Sequence, residues 1–357
     1  MDALNIEIDL TQNLKSKPNA DQIAFGTIFT DHMFVMDYST EKGWYDPRIV
    51  PYQPIALDPA AMIFHYGQTI FEGLKAYTTP DDRILLFRPE KNFRRLNLSA
   101  DRMSIPAIDE QFALAGLQKL IEVEKEWVPK AVGNSLYIRP FIIGTEPNLS
   151  LAPSKTYQFI IILSPVGSYY KDGIQPIKIH VEYEYTRAVR GGTGFAKTAG
   201  NYAAAYKAQE KATTEGYSQV LWLDGIEKKY IEEVGSMNVF FKINGEVITP
   251  ELNGSILEGI TRMSIIELLK GWGITVIERR ISLEELYNAA NCGELEEAFG
   301  TGTAAVISPI GELNWGNRNI VINKSEIGSL SQKLYDTLTG IQTGKLEDLN
   351  GWTVEVK

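Results

Sequence analysis

The chain has little of what several chemistries require. Its 357 residues include one cysteine, Cys292, which excludes an intrachain disulfide and every metal motif built on several cysteines. Three histidines, His32, His65 and His180, lie far apart with no i,i+4 or H-x-x-E spacing, so no metal is expected. Basic residues are outnumbered, 35 Lys+Arg against 45 Asp+Glu, for a net charge of -10. Nucleic acid and anionic membranes need a clustered basic face and are not expected as partners. No apolar run approaches the roughly 18 residues of a membrane span. The opening MDALNIEIDLTQNLKSK lacks a basic segment followed by an apolar one, so a cytoplasmic protein is expected. Neither G-x-x-x-x-G-K-[ST] nor G-x-S-x-G occurs, and the common nucleotide and hydrolase signatures are therefore missing too.

What is present is a globular composition, 44% hydrophobic and 22% charged, in a chain longer than one core usually serves. KAYTT and RILLF flank the PDD turn as a hairpin, and a helical pattern starts at Pro89 with Phe93, Leu96, Ala100 and Met103 on one face. NSLYIRPFII and YQFIIILS read as strands, the second apolar enough to be central. PVGSYYKDGIQP, residues 165–176, holds two prolines and two glycines and is the expected connection between a domain at 1–164 and another at 177–357. In the second half IKIHVEYEY, SQVLWLDG, ITVIERR, ELEEAFGTG and AAVISPI read as strands, and MNVFFKINGEVITP as a hairpin about Asn244-Gly245. ILEGITRMSIIELLKGWG and SEIGSLSQKLYDTLTGI read as helices, and Ser282 and Glu285 are spaced as a capping box. The fold class expected is α+β with two domains.

One stretch, RGGTGFAKTAGNYAAAY at 190–206, surrounds Lys197 with glycine and other small residues. A nucleophilic lysine must lose its proton near neutral pH, which burial among uncharged neighbours promotes. Small neighbours also leave room for a flat ring. The turns GGTG, EEVGS, GSILEGITR and GTGTAA combine glycine with hydroxyl or small residues, as loops that present backbone N–H groups to an anion do. LEGIT sits at a helix start, which makes Ile260 and Thr261 phosphate contacts by this reading. Pyridoxal phosphate would use such loops, the lysine, and a carboxylate beside its ring nitrogen. YIEEVGS offers Glu232 and Glu233, and strand alternation does not choose between them. Taken singly, each loop reads equally well as a turn and each glutamate as a solvated strand residue.

FGTIFTDHM, FHYGQTIFEGLKAY, LYIRPFIIGTEPNL, GGTGFAKTAGNYA, EEVGSMNVFF and FGTGTAAVISPIGE, in this order and spacing, resemble the branched-chain amino acid aminotransferases of the fold type IV pyridoxal-phosphate class, from about Ala24 to the end of the chain. The resemblance implies a smaller N-terminal and a larger C-terminal domain with pyridoxal 5'-phosphate between them in a homodimer. It implies transfer of the amino group of leucine, isoleucine or valine to 2-oxoglutarate. It makes Lys197 the Schiff-base lysine and proton shuttle, Glu233 the ring-nitrogen partner, Tyr202 the bond to the phenolic oxygen and Arg95 the phosphate arginine. Ser236, Leu257, Gly259, Ile260, Thr261 and Thr303 complete the cofactor contacts. For substrate it implies an apolar wall of Phe25, Tyr66, Phe71, Gly73 and Tyr137, with Arg139 as partner of the distal carboxylate of glutamate. Thr303 and Ala304 would hold the α-carboxylate, and Leu149 and Leu151 would reach in from the other subunit. Animal members carry a Cys-x-x-Cys pair where this chain has Ala305 and Ser308, so thiol regulation there is not expected. The competing readings are a D-amino acid aminotransferase or aminodeoxychorismate lyase of the same fold and, outside enzymes, a binding protein for a phosphorylated ligand. A binder has no use for Lys197 together with Glu233.

Overall fold

The computed structural model describes residues 5–19, 23–168 and 173–357. The chain forms two compact units, one of Met1–Tyr169, Ala196–Ala199 and Gly340–Lys357, the other of Tyr170–Phe195 and Gly200–Thr339.

The first unit is built on a sheet whose path runs Glu7–Ile8, Gly43–Pro51, His32–Ser39, Thr156–Val166, Ser135–Gly144, Leu74–Thr78, Ile84–Phe87 and Thr353–Val356, with Thr69–Phe71 added to Ser135–Gly144. YQFIIILS is central as expected, within the strand Thr156–Val166 and flanked by His32–Ser39 and Ser135–Gly144. The expected hairpin pairs Ala76 with Leu86 and Thr78 with Ile84, and Asp82 in its turn is left-handed at φ 62°. The helix Pro89–Arg102 buries Phe93, Leu96 and Ala100, and Arg95 with them. A second helix, Glu110–Val123, is capped by Asp109, whose side chain accepts from the Phe112 N–H. These helices close one face of the sheet over Leu136, Ile138, Phe159, Ile161 and Leu163, each contributing about 1.5 to 3 kcal/mol by burial. Period-two alternation then sends Tyr137 and Arg139 to the opposite face, where both are only half-buried.

The second unit is a closed ladder. Ile231–Val234, Gln219–Leu223, Ile177–Glu182, Val306–Trp315, Leu295–Gly302 and Met237–Ile243 pair in turn, and Ile231–Val234 also pairs with Met237–Ile243, which closes the ring. Ile179, Leu221, Val239, Phe241 and Leu313 fill the core. The Asn244-Gly245 turn has both residues left-handed, at φ 49° and 78°, as the hairpin requires. Ser282 caps Leu283–Asn291 by accepting from the Glu285 N–H, but the Glu285 carboxylate pairs with Arg279 rather than returning to the cap. The helix of ILEGITRMSIIELLKGWG starts only at Ile260, after Gly259. IKIHVEYEY stops as a strand at Glu182 because the Glu182 carboxylate accepts from the Glu184 and Tyr185 N–H groups and turns the chain. The alanine-rich run after Lys197 is two short helices, Ala199–Ala203 and Tyr206–Thr214.

The two units divide the chain differently from the expected 1–164 and 177–357. The connection 165–176 lies partly outside the described residues, at 169–172. Residues 340–357 belong to the first unit because Thr353–Val356 pairs antiparallel with Ile84–Phe87. Ala196–Ala199 belong there too: the Lys197 N–H donates to Ser99 Oγ, and the Lys197 carbonyl accepts from the Phe71 N–H. With these additions the first unit is the larger, not the smaller. Among the described residues no helix is long and apolar enough to cross a membrane.

Candidate active site

In the first unit the segment carrying Lys197 is fixed by hydrogen bonds on three successive sides. Besides the two backbone bonds of Lys197, Thr198 Oγ1 donates to the Thr69 carbonyl at 2.7 Å. The lysine side chain then lies with Nζ 4.9 Å from the centroid of the Phe71 ring, and the Arg139 guanidinium lies 4.7 Å from the same centroid. Arg139 Nη2 donates to the Tyr137 hydroxyl at 2.9 Å, while Arg139 Nε is buried with no hydrogen-bond partner. Phe25 meets the Tyr137 ring edge-on at 4.9 Å. Gly73 is required here: a Cβ would come within 2.2 Å of the Tyr137 hydroxyl. The structure thus brings Phe25, Phe71, Gly73, Tyr137, Arg139 and Lys197 together. The Tyr66 hydroxyl donates to the Leu149 carbonyl. Leu149 and Leu151 are 62% and 88% exposed.

Arg95 does not stand alone. Its Nε and Nη2 donate to the two oxygens of Glu72 at 2.7 and 2.8 Å, and Asn92 Nδ2 adds a third bond at 2.8 Å. Glu72 is fully buried. Burial pushes its carboxyl upward, and the charges of Arg95 and Lys197 with the bonds from Arg95 and Asn92 outweigh that, leaving it below the usual range. On the next strand Lys75, opposite Tyr137, is driven down to about 8 by desolvation.

In the second unit a cavity of about 220 Å³ is lined by Arg187, Tyr202, Trp222, Glu233, Ser236 and Leu257, among others. Four of the residues expected to hold the cofactor therefore share one wall. Glu233 Oε1 accepts from the Leu257 N–H at 3.0 Å and from Asn238 Nδ2 at 3.4 Å. Oε2 lies 2.8 Å from Arg187 Nε, but that N–H does not point at it and makes no hydrogen bond. Arg187 Nη2 donates instead to the Ser255 carbonyl at 2.6 Å. Glu232, equally buried, binds Ser255 Oγ and is not part of the cavity wall. Ile260 and Thr261 are the first residues of their helix, where backbone N–H groups lack intrahelical partners. Gly259 precedes them because a Cβ there would come within 2.0 Å of Asn238 Oδ1. Thr303 and Ala304 form the half-buried turn between Leu295–Gly302 and Val306–Trp315.

One sequence expectation changes its reason. The absent side chain of Gly194 leaves no room for a ring, because a Cβ would lie 2.2 Å from the Ser255 carbonyl; the glycine serves close backbone packing. Glu72 and Arg187 were missed. Glu72 lies inside the FEGLKAY motif and could have been found from it, whereas nothing in TRAVRGG distinguishes Arg187 from a surface arginine.

A family model described as class IV amino-transferase matches residues 69–313. The branched-chain-amino-acid aminotransferase 2 of Bacillus subtilis is 65% identical over 98% of this chain and 97% of its own length. The branched-chain-amino-acid transaminase 1 of the same organism is 59% identical over 98% and 99%. Among solved structures, a branched-chain aminotransferase from Thermoproteus uzoniensis with norvaline matches with a TM-score of 0.77 at 26% identity, covering 91% of this chain and all of that one. The branched-chain amino acid aminotransferase from Escherichia coli matches with a TM-score of 0.71 at 26% identity, over 92% and 99%.

Proposed function

This chain belongs to the class IV aminotransferases, and we infer that it moves the amino group of L-leucine, L-isoleucine or L-valine to 2-oxoglutarate. Two relatives of nearly equal length are named branched-chain-amino-acid aminotransferase and transaminase. The observation that carries the reading is the wall of the second-unit cavity, where Tyr202 and a buried Glu233 stand together.

We propose pyridoxal 5'-phosphate as the cofactor. The residues fit it: the buried Glu233 carboxylate in the cavity wall is an acceptor for a ring N–H, Tyr202 offers a hydroxyl, and Trp222 and Leu257 are apolar neighbours for a flat ring. When bound, the cofactor supplies an electron-withdrawing ring that stabilises negative charge at the substrate Cα. Lys197, held at its N–H and carbonyl, would anchor the cofactor through its amine and carry a proton to and from the substrate Cα. Arg95, Ser236, Leu257, Gly259, Ile260, Thr261 and Thr303 are proposed for the remaining cofactor contacts. Arg139 is proposed to accept the distal carboxylate of glutamate, and its buried unpaired Nε supports that. Phe25, Tyr66, Phe71, Gly73 and Tyr137 would face the apolar side chain of leucine, and Thr303 and Ala304 the α-carboxylate. Exposed Leu149 and Leu151 support a homodimer in which they reach the partner's site. The cytoplasm is proposed as its place of action.

The test is spectroscopic. With cofactor added, L-leucine changes the visible absorption of the protein, 2-oxoglutarate restores it, and D-alanine does neither. Lys197→Ala removes the exchange. A spectrum indifferent to L-leucine, or a Lys197→Ala variant that exchanges amino groups near the wild-type rate, overturns the reading.

A further inference from the structure

A lysine that bonds a cofactor and then carries a proton must move its amine between positions, so the part to be fixed is its backbone. In the first unit that backbone is gripped from two sides. The Lys197 carbonyl accepts from the Phe71 N–H at 3.0 Å, and Thr198 pairs antiparallel with Ile70 while its Oγ1 donates to the Thr69 carbonyl. On this side the segment rides on the strand Thr69–Phe71, itself paired with Ser135–Gly144. On the other side the Lys197 N–H donates to Ser99 Oγ at 2.9 Å. Ser99 sits in the helix Pro89–Arg102 and is inaccessible to solvent. A hydroxyl has a single proton to donate, and that of Ser99 goes to the Arg95 carbonyl at 3.0 Å, one turn earlier in the helix. Toward Lys197 the hydroxyl therefore acts as an acceptor, which is what a backbone N–H requires.

We propose that Ser99 is a positioning residue for Lys197: it ties the lysine backbone to the helix that carries Arg95, so that the reach of the amine starts from a point fixed relative to that arginine. The tie closes a circuit. Ser99 bonds the Arg95 carbonyl, the Arg95 guanidinium bonds Glu72, Glu72 follows Phe71 in the chain, and Phe71 bonds the Lys197 carbonyl. The charges of Arg95 and Lys197 both act on Glu72 at its centre. A serine whose hydroxyl only folds back on its own helix is a common feature of small energetic weight. What sets Ser99 apart is the N–H that arrives from a segment distant in the chain. An amide that loses such an acceptor stays unpaired or shifts, and a shift of ~1 Å at a reacting group costs about 100-fold in rate.

That the Lys197 amine does chemistry rests on the proposed function, so the backbone and the reaction are read separately. In cofactor-free protein, amide hydrogen exchange at Lys197 should quicken about tenfold in Ser99→Ala. Ser99→Cys, which fills the same space with a weaker acceptor, should quicken it too, and Ser99→Thr, which keeps the hydroxyl, should return it toward the wild-type rate. In cofactor-loaded protein, the rate of amino transfer from L-leucine per loaded molecule should fall about 10-fold to 100-fold in Ser99→Ala and Ser99→Cys, with KM for L-leucine changed by less than about twofold and Ser99→Thr again restored. Ser99→Ala and Ser99→Cys decide the matter even if the extra methyl of Ser99→Thr prevents folding. A purely structural serine predicts a lower melting temperature with Lys197 exchange and transfer rate unmoved, or full restoration by Ser99→Cys; either result overturns the proposal. A wild type that does not respond to L-leucine, with Lys197 exchange still quickened in Ser99→Ala, overturns the function and leaves the Ser99 tie standing. A wild type that transfers amino groups, with Ser99→Ala unchanged in both readouts, does the reverse.

Discussion

Each unit buries a glutamate against an arginine, and the two pairs are built differently. In the first, Glu72 and Arg95 meet through two aligned bonds, and Asn92 and the Gly73 N–H take further acceptor sites on the carboxylate. In the second, Glu233 and Arg187 touch without a hydrogen bond and border a cavity. Both carboxylates are almost inaccessible to solvent, so burial does not distinguish them. Setting does: Glu72 is held by aligned bonds within its unit, whereas Glu233 lies in a cavity wall, where a carboxylate can meet a ligand.

The largest expected effect comes from breaking the open pair. Glu233→Gln should lower turnover roughly 100-fold to 1,000-fold with little change in melting temperature, because the cavity lets water reach what is left behind. An equal loss in Glu232→Gln would assign the role to the wrong carboxylate. Breaking the closed pair should do the reverse in kind: Glu72→Gln strands the Arg95 guanidinium in the core and should cost about 3 to 5 kcal/mol of stability, read by denaturant titration. Its pH dependence has a definite sign. Folded Glu72 lies below its usual 4.5, so its contribution is present above that value and lost as pH falls below it. The variant should have a shallower acid limb.

Arg139 sharpens the comparison inside the first unit, since it is an arginine there with an unpaired buried Nε. Arg139→Met should raise KM for glutamate and 2-oxoglutarate by an amount corresponding to about 2 to 4 kcal/mol, and far less for leucine. Parallel losses for both substrates together with a lower melting temperature would make it a second closed site. The smallest effect belongs to Lys75, held at about 8 by burial. Between that value and 10.5 the unfolded chain binds more protons, so stability rises with pH across the window. Lys75→Met should remove that rise, as melting temperatures at pH 7.5 and 10 would show.

Local signals in the sequence determined the local elements. The Asn244-Gly245 hairpin, the Ser282 cap, the helix face of Phe93, Leu96 and Ala100 and the strand LYIRPF are set by residues within a few positions of one another, and period and turn chemistry suffice to read them. The ordered motifs also marked Lys197, Tyr202 and Glu233 as candidate site residues. What only the tertiary structure decided is pairing across long stretches of chain. Glu72 lies 23 residues from Arg95, Ser99 lies 98 from Lys197, and Thr353–Val356 crosses most of the chain to reach Ile84–Phe87. Glu232 and Glu233 could not be separated by alternation because closing the ladder into a ring buries both faces of their strand. Which of two buried neighbours is held by Ser255 and which borders a cavity beside Arg187 depends on loops that no local pattern places. Local conformational preference extends over a few residues, whereas charge pairing in a low-dielectric interior is settled by whatever the fold brings within 3 Å.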